Sequence, residues 1–186
     1  MKIIDLHQVE KKMIVLAVDQ NRQAQQMIYN KFAPKMLGVC RQYVKDLHQA
    51  EDLMITAFMK VFTNLKNFEH KGSFEGWIRR IMVNECISHI RANKKISFLE
   101  DEKYQEESFN NIESNYTVDE IQFLIDTLPE GYKMIFNLYA IEGYKHQEIA
   151  CLLGINEGTS KSQLSHARKM LQHEIIKLKA YHNGTK

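Results

Sequence analysis

HQEIACLLGINEGTSKSQLSHARKML, residues 146–171, reads as two short helices crossing at a tight turn. Such a crossing needs a small residue where the helices approach, and Ala150 supplies it. It also needs a residue that tolerates an unusual backbone at the turn, and Gly154 supplies that. Ile149, Leu153 and Ile155, then Leu164, Ala167 and Leu171, recur at offsets that face both helices inward. The pattern is a helix-turn-helix, whose second helix is expected to enter the major groove with its N-terminal residues leading. The outward face of that helix is expected to carry Thr159, Lys161, Ser162, Gln163, Ser165, His166 and Lys169. These side chains can reach phosphates or base edges, and glutamine favours adenine where bidentate contact is allowed.

Outward from this motif the chain reads as helix throughout. Val118, Ile121, Leu124 and Ile125 share a face over residues 118–127, and Leu128-Pro129 breaks that helix. Pro129 is placed to open the next one, GYKMIFNLYAIEG, which closes at Gly143. The final helix is expected from about residue 157 to 180. Upstream, helical periodicity runs through residues 6–94. Asn21 is a candidate cap, Pro34 a candidate helix start, and Leu53, Met54, Ala57, Phe58, Val61, Phe62 and Leu65 form an amphipathic stripe. After the turn-like EHKGS, Ser73 opens a further helix with Phe74, Trp77, Ile78, Ile81, Met82 and Ile90. Two Pro and eight Gly in 186 residues agree with an all-α chain. The expected architecture is two small helical domains, residues 1–96 and 118–186, joined by a polar, acidic linker over 97–117.

Charge follows the same division. Residues 1–98 hold 16 Lys and Arg against 9 Asp and Glu, residues 99–118 hold 1 against 6, and residues 119–186 hold 8 against 8. A basic half tethered by an acidic segment suits a nucleic-acid-binding module. The early charge in MKIIDLHQVEKK does not suit a secretory signal, and no run approaches the roughly 20 apolar residues of a membrane helix. The expectation is a cytoplasmic protein with no membrane insertion. Cys40, Cys86 and Cys151 are scattered and odd in number, which argues against a disulfide framework. No paired Cys or His spacing indicates a metal, and no phosphate loop or carboxylate cluster indicates an enzyme or a cofactor. Trp77 at helical spacing is read as core.

The stretch LIDTLPEGYKMIFNLYAIEGYKHQEIACLLGINEGTSKSQLSHARKML resembles region four of extracytoplasmic-function (ECF) sigma factors of bacterial RNA polymerase. The LP start, the E-G-Y, the EIA and the G-T-x-K-S-x-L-x-x-A-R run carry the likeness. DLHQAEDLMITAFMKVFTNLKNF followed by GSFEGWIRRIMVNECISHIR is similar to region two of the same group, through A-E-D-L, F-x-K-V-F, W-I-x-x-I and the asparagine before the final arginine. Two motifs in the right order, with a linker of suitable length, cover nearly the whole chain.

That resemblance implies a factor that binds core RNA polymerase, at the clamp helices of its largest subunit and at its flap, and directs it to promoter DNA. It implies Glu51, Asp52, Phe58 and Lys60 as the polymerase contact, although Leu53, Phe58 and Phe62 also read as core. It implies capture of the minus-ten element as a single strand by residues 68–73 and the helix that follows, with Phe68, Lys71, Ser73, Arg80, Asn84, Ser88 and Arg91 as candidates. Arg79, Lys94 and Lys95 are further candidates for holding phosphates. Minus-thirty-five recognition falls to the Lys161–His166 face. The linker is expected to thread the polymerase where its acids mimic RNA, and an anti-sigma partner is common in the family. Two departures stand out: Ile55-Thr56 where the family carries Gln-Glu, and Ser160 where it often has a β-branched apolar residue, which is expected to cost packing. The rival reading is a stand-alone helix-turn-helix regulator that binds operator DNA without polymerase.

Overall fold

The computed structural model describes residues 6–92 and 117–184, and every regular element among them is helical. Lys94, Lys95 and the acidic stretch, apart from Thr117, lie outside the described residues. The chain divides into two compact units, Met1–His89 and Ile90–Lys186, the division falling within the last turn of a helix.

In the first unit, α1 (Leu6–Val18), α2 (Arg22–Tyr43), α3 (Leu47–Asn64) and α4 (Phe74–Ala92) enclose one core. Side-chain caps fix where the helices begin. Asn21 Oδ1 accepts from the Ala24 N–H at 3.0 Å, Asp46 Oδ1 from Gln49 at 2.8 Å, and Ser73 Oγ from Gly76 at 3.0 Å. A 3-10 turn, Leu65–Asn67, closes α3. Pro34 does not open a helix: it lies inside α2. An interior proline forfeits one backbone hydrogen bond. Here the buried stripe continues on both sides of it, through Ile28, Phe32 and Ala33 and then Met36, Val39 and Cys40, so packing carries the helix through. Phe32 of α2 meets Phe74 of α4 edge-on at 5.7 Å, and Phe58 of α3 meets Tyr29 of α2 at 4.8 Å.

In the second unit, α5 (Val118–Thr127) starts in a capping box. Thr117 Oγ1 accepts from the Glu120 N–H, and Glu120 Oε2 accepts from the Thr117 N–H at 2.8 Å. Pro129 caps α6 (Glu130–Phe136), which continues as one π-turn over Asn137–Ile141. Next come α7 (His146–Leu153) and α8 (Glu157–Gly184). Leu124 and Leu128 of the α5 end pack on Ala167 and Leu171 of α8, with Tyr132, Phe136, Ile175 and Leu178 around them. Burying this set removes the apolar stripes of both helices from water, at roughly 25 cal/mol per Å².

Candidate nucleic-acid interface

In the second unit α7 and α8 form the helix-turn-helix. Gly154 takes the left-handed conformation, φ 68° and ψ 37°, and its N–H bonds the Ala150 carbonyl at 2.9 Å. The Ile155 N–H reaches the same carbonyl at 3.1 Å, so the turn closes on one acceptor. Ile149 and Leu153 are buried with Leu164 and Ala167, which fixes the crossing.

The face of α8 is narrower than its polar residues suggest. Lys169 is exposed, and Thr159, Lys161 and His166 are partly so. Lys161 pairs with Glu157 at 2.8 Å, and its ammonium holds the Glu157 carboxyl below the usual range. The His166 ring stacks on Tyr132 at 5.7 Å. Ser162, Gln163 and Ser165, expected to face outward, are buried. Gln163 falls on the inward stripe with Ser160, Leu164, Ala167 and Leu171 at three- and four-residue steps, so its polarity does not set its direction. The hydroxyl of Ser162 donates back to the Thr159 carbonyl at 3.1 Å. A seryl hydroxyl stands one carbon from the backbone, so longer neighbours shade it, and both serines lie among such neighbours.

The first unit carries a cleft of about 340 Å³ between the end of α3 and one face of α4. It is lined by Lys60, Asn64 and Asn67 on one side, and by Trp77, Ile81, Asn84, Glu85 and Ser88 on the other. The structure thus brings Asn84 and Ser88 together with Lys60, which sequence reasoning had assigned elsewhere. The Lys60 ammonium pairs with the Glu85 carboxylate across the cleft. The Asn84 side chain is exposed and has no hydrogen-bond partner among the described residues, while Ser88 Oγ donates to the Asn84 carbonyl at 2.8 Å. Trp77 is neither wholly core nor free. It is stacked on Phe74 at 5.9 Å and 14°, and it also lines the cleft.

The loop before α4 is shaped from within. Phe68 is buried against Phe74 at 5.1 Å and Trp77 at 5.5 Å, so it anchors the loop and is not displayed on it. His70 (φ 56°) and Gly72 (φ 97°) are left-handed. Ser73 is spent on the α4 cap, and exposed Lys71 pairs with Glu69 at 2.7 Å. Arg80 and Arg91 are exposed on α4.

On α3, Asp52 is exposed and Glu51 partly so, but Phe58 is 2% exposed and belongs to the core with Tyr29 and Phe62. The residues that share the open face with Asp52 are Ile55 and Met59, 48% and 66% exposed, at steps of three and four. Sequence reasoning noted Ile55 only as a departure from the family's Gln-Glu and did not single out Met59, although both fall on the face opposite Leu53 and Ala57. It also missed Asn64, Asn67 and Glu85. The 4-3-4 spacing of Trp77, Ile81, Asn84 and Ser88 was the available signal for the cleft wall.

The family description "Sigma-70 region 2" matches residues 28–96, and "Sigma-70, region 4" matches residues 119–171. The ECF RNA polymerase sigma factor SigE of Mycolicibacterium smegmatis is 31% identical over 70% of this chain and 53% of its own length. RNA polymerase sigma factor SigV of Bacillus subtilis is 29% identical over 73% of this chain and 81% of its own. The chain thus spans about half of the first relative and most of the second. Among solved structures, the sigma factor RpoE of Bartonella quintana, in complex with the anti-sigma factor NepR, covers 80% of this chain and 94% of its own at 21% identity and a TM-score of 0.49.

A helical unit with an amide-lined cleft, followed by a helix-turn-helix unit, defines a two-part DNA-binding protein. The chain belongs to the sigma-70 family, as an ECF-type RNA polymerase sigma factor. Sigma factors are transcription initiation factors. Among the described residues no helix is long and apolar enough to cross a membrane.

Proposed function

We propose that this chain binds core RNA polymerase and directs it to promoters without catalysing a reaction itself, acting in the cytoplasm with two domains, residues 1–96 and 118–186, tethered by 97–117. The open face of α3, with Asp52 and Glu51 beside Ile55 and Met59, docks on the clamp helices of the largest subunit. Apolar centres rimmed by charge are the usual anatomy of such contacts. The cleft between α3 and α4 takes a minus-ten base drawn out of the duplex. Trp77 offers a ring face, Asn84 a free carboxamide, and Lys71, Arg80 and Arg91 cations for the strands. The α8 face of Thr159, Lys161, His166 and Lys169 contacts the minus-thirty-five element. Family membership also makes an anti-sigma protein the expected antagonist.

The observation that carries this reading is the conjunction of two family matches in the right order on one chain. A stand-alone regulator accounts for residues 119–171 and leaves 28–96 without a purpose. The test is a titration of labelled chain with bacterial core polymerase. Tight association, weakened at least tenfold by Met59→Glu, is the expected result. No association, together with tight duplex binding by the chain alone, would point to the stand-alone regulator.

A further inference from the structure

Cys40 of α2 and Cys86 of α4 are wholly buried, and both are free thiols. Their helices are already joined at another point, where Phe32 meets Phe74 edge-on at 5.7 Å and Lys35 Nζ donates to Glu75 Oε1 at 3.1 Å. About two turns further along α2, and about three along α4, the helices meet again at the two sulfurs. There the Cys86 S–H donates to the Cys40 sulfur. That bond holds the Cys40 thiol below its usual range, against burial and the Glu85 charge, and holds Cys86 above its own. A free cysteine packs as a small hydrophobe, and its reactivity is what distinguishes it from alanine or valine.

We propose that Cys40 and Cys86 are a redox site, which hydrogen peroxide converts to a disulfide that draws α4 toward α2 and reversibly lowers promoter use. Peroxide is little larger than water, so it reaches the pair through brief local openings of the packing that exclude bulkier reagents. The Cys40 thiolate attacks one peroxide oxygen, the O–O bond breaks, and the departing hydroxide takes up the Cys40 proton as water. Cys86, held protonated, does not meet the oxidant first. Its sulfur then attacks the Cys40 sulfenic acid; the S–S bond forms, the S–O bond breaks, and the Cys86 proton leaves with that oxygen as a second water. Two electrons pass from the thiols to the peroxide. The cross-link is a signal and not a framework, since disulfides in a reducing cytosol are transient and redox-sensing.

The consequence follows from where Cys86 sits. A disulfide sets its sulfurs about 2 Å apart, closer than hydrogen-bonded thiols stand. Closing that gap shifts Cys86, and its neighbours Asn84, Glu85 and Ser88 on α4 line the α3–α4 cleft. A close-packed interior transmits the strain, so the cleft wall moves with the helix. This consequence rests on the reading of the cleft as the minus-ten site.

The test uses the full chain carrying Cys151→Ser, which leaves the buried pair as its only thiols. The chain is treated with graded hydrogen peroxide and freed of it, remaining thiols are alkylated in denaturant, and the digest is read by mass spectrometry. Exposed Met27 and Met59 report the dose through their sulfoxides. The expected result is a Cys40–Cys86 cross-linked peptide that dithiothreitol reduces and that Cys40→Ala and Cys86→Ala both lack. Added to core polymerase, the oxidised chain is expected to initiate roughly tenfold less than the reduced chain, because a small misplacement at a binding wall is costly. Dithiothreitol is expected to restore the yield, and Cys40→Ala to initiate equally with and without prior peroxide. Should the alanine variants not fold, the cross-link and its reversal in the parent decide the matter. Two intact thiols at doses that oxidise Met27 and Met59, or sulfinic acid without a cross-link, overturns the redox site. A cross-link that leaves initiation unchanged overturns its control of promoter use. Absence of initiation by the reduced chain on every promoter overturns the functional reading and leaves the cross-link standing.

Discussion

His146 Nδ1 lies 2.9 Å from Ser160 Oγ, so a single hydrogen bond ties the first turn of α7 to the buried side of α8. Ser160 is wholly buried, at a position where the family often has a β-branched apolar residue. A buried hydroxyl without a partner costs free energy. The histidine removes that cost, so the substitution expected to loosen the packing is instead a polar clasp. The His146 ring is stacked on Tyr139 at 4.5 Å, and the Arg168 guanidinium lies 5.6 Å from the same tyrosine ring.

The clasp makes the helix-turn-helix sensitive to acid. Burial, then the nearby Lys161 and Arg168 cations, hold the His146 pKa below its ordinary 6.5, with Glu157 opposing. Below about pH 6.5 the unfolded chain takes up a proton that the folded chain resists. The stability contribution is therefore complete above that pH and is lost as pH falls through the lower folded pKa. Hydrogen exchange of residues 146–171 between pH 7.5 and 5 should show protection falling with acid, and His146→Gln should flatten the dependence. Equal slopes in both proteins would contradict it.

Gly154 predicts a backbone effect without a steric one. A Cβ placed there meets nothing within 4 Å, yet φ is +68°. Gly154→Ala should therefore destabilise the second unit by about 1–2 kcal/mol, the cost of a left-handed L-residue. Urea unfolding followed in that unit measures it. Gly154→Asn should cost less, because asparagine tolerates this region.

Lys133 of α6 is buried, its side chain 6% exposed, and pairs with Asp126 of α5, which is 31% exposed. Removing the acid leaves a buried cation uncompensated. Asp126→Ala should cost about 2 kcal/mol, below the ~3–5 kcal/mol of a fully buried pair because water still reaches the carboxylate. Lys133→Met, which removes the charge and keeps the volume, should stay within about 1 kcal/mol of the parent. The order of the two melting temperatures decides the matter.

Thiol reactivity should separate the three cysteines. Cys151 is exposed, whereas Cys40 of α2 and Cys86 of α4 are buried and hydrogen-bonded to each other. That bond and burial push the Cys86 thiol well above its usual range, so it stays protonated and inert. A thiol-reactive dye should modify one cysteine quickly in the native chain and three in denaturant, and Cys151→Ser should remove the fast phase. Two fast thiols in the native chain would contradict the packing of α2 on α4.

The helices were legible because their apolar residues repeat at helical spacing and their starts carry caps such as Asn21 and Ser73 that the structure uses. The turn was legible because a left-handed position such as that of Gly154 favours glycine over other residues. Pro34 misled because local propensity speaks for a break, while the buried stripe on both sides of it is a tertiary effect. The direction of the candidate side chains was not legible. The family resemblance pointed to Asn84 and Ser88 and the turn motif to Lys161, but neither residue type nor motif sets which way a side chain faces. Gln163 is polar and points inward, Phe68 is an anchor under its loop, and Met59 is apolar and points out. The cleft was hidden because it joins α3 to α4, and no single helix displays the pairing of Lys60 with Glu85.

The central claim is that this chain gives polymerase its promoter, and the measurement is transcript yield from candidate promoters with core polymerase, with and without the chain. The predicted result is initiation at defined start points only when the chain is present, falling at least tenfold with Asn84→Ala and with Lys161→Ala while both variants still bind core polymerase. Initiation that is the same without the chain, or that is indifferent to both substitutions, would contradict the account.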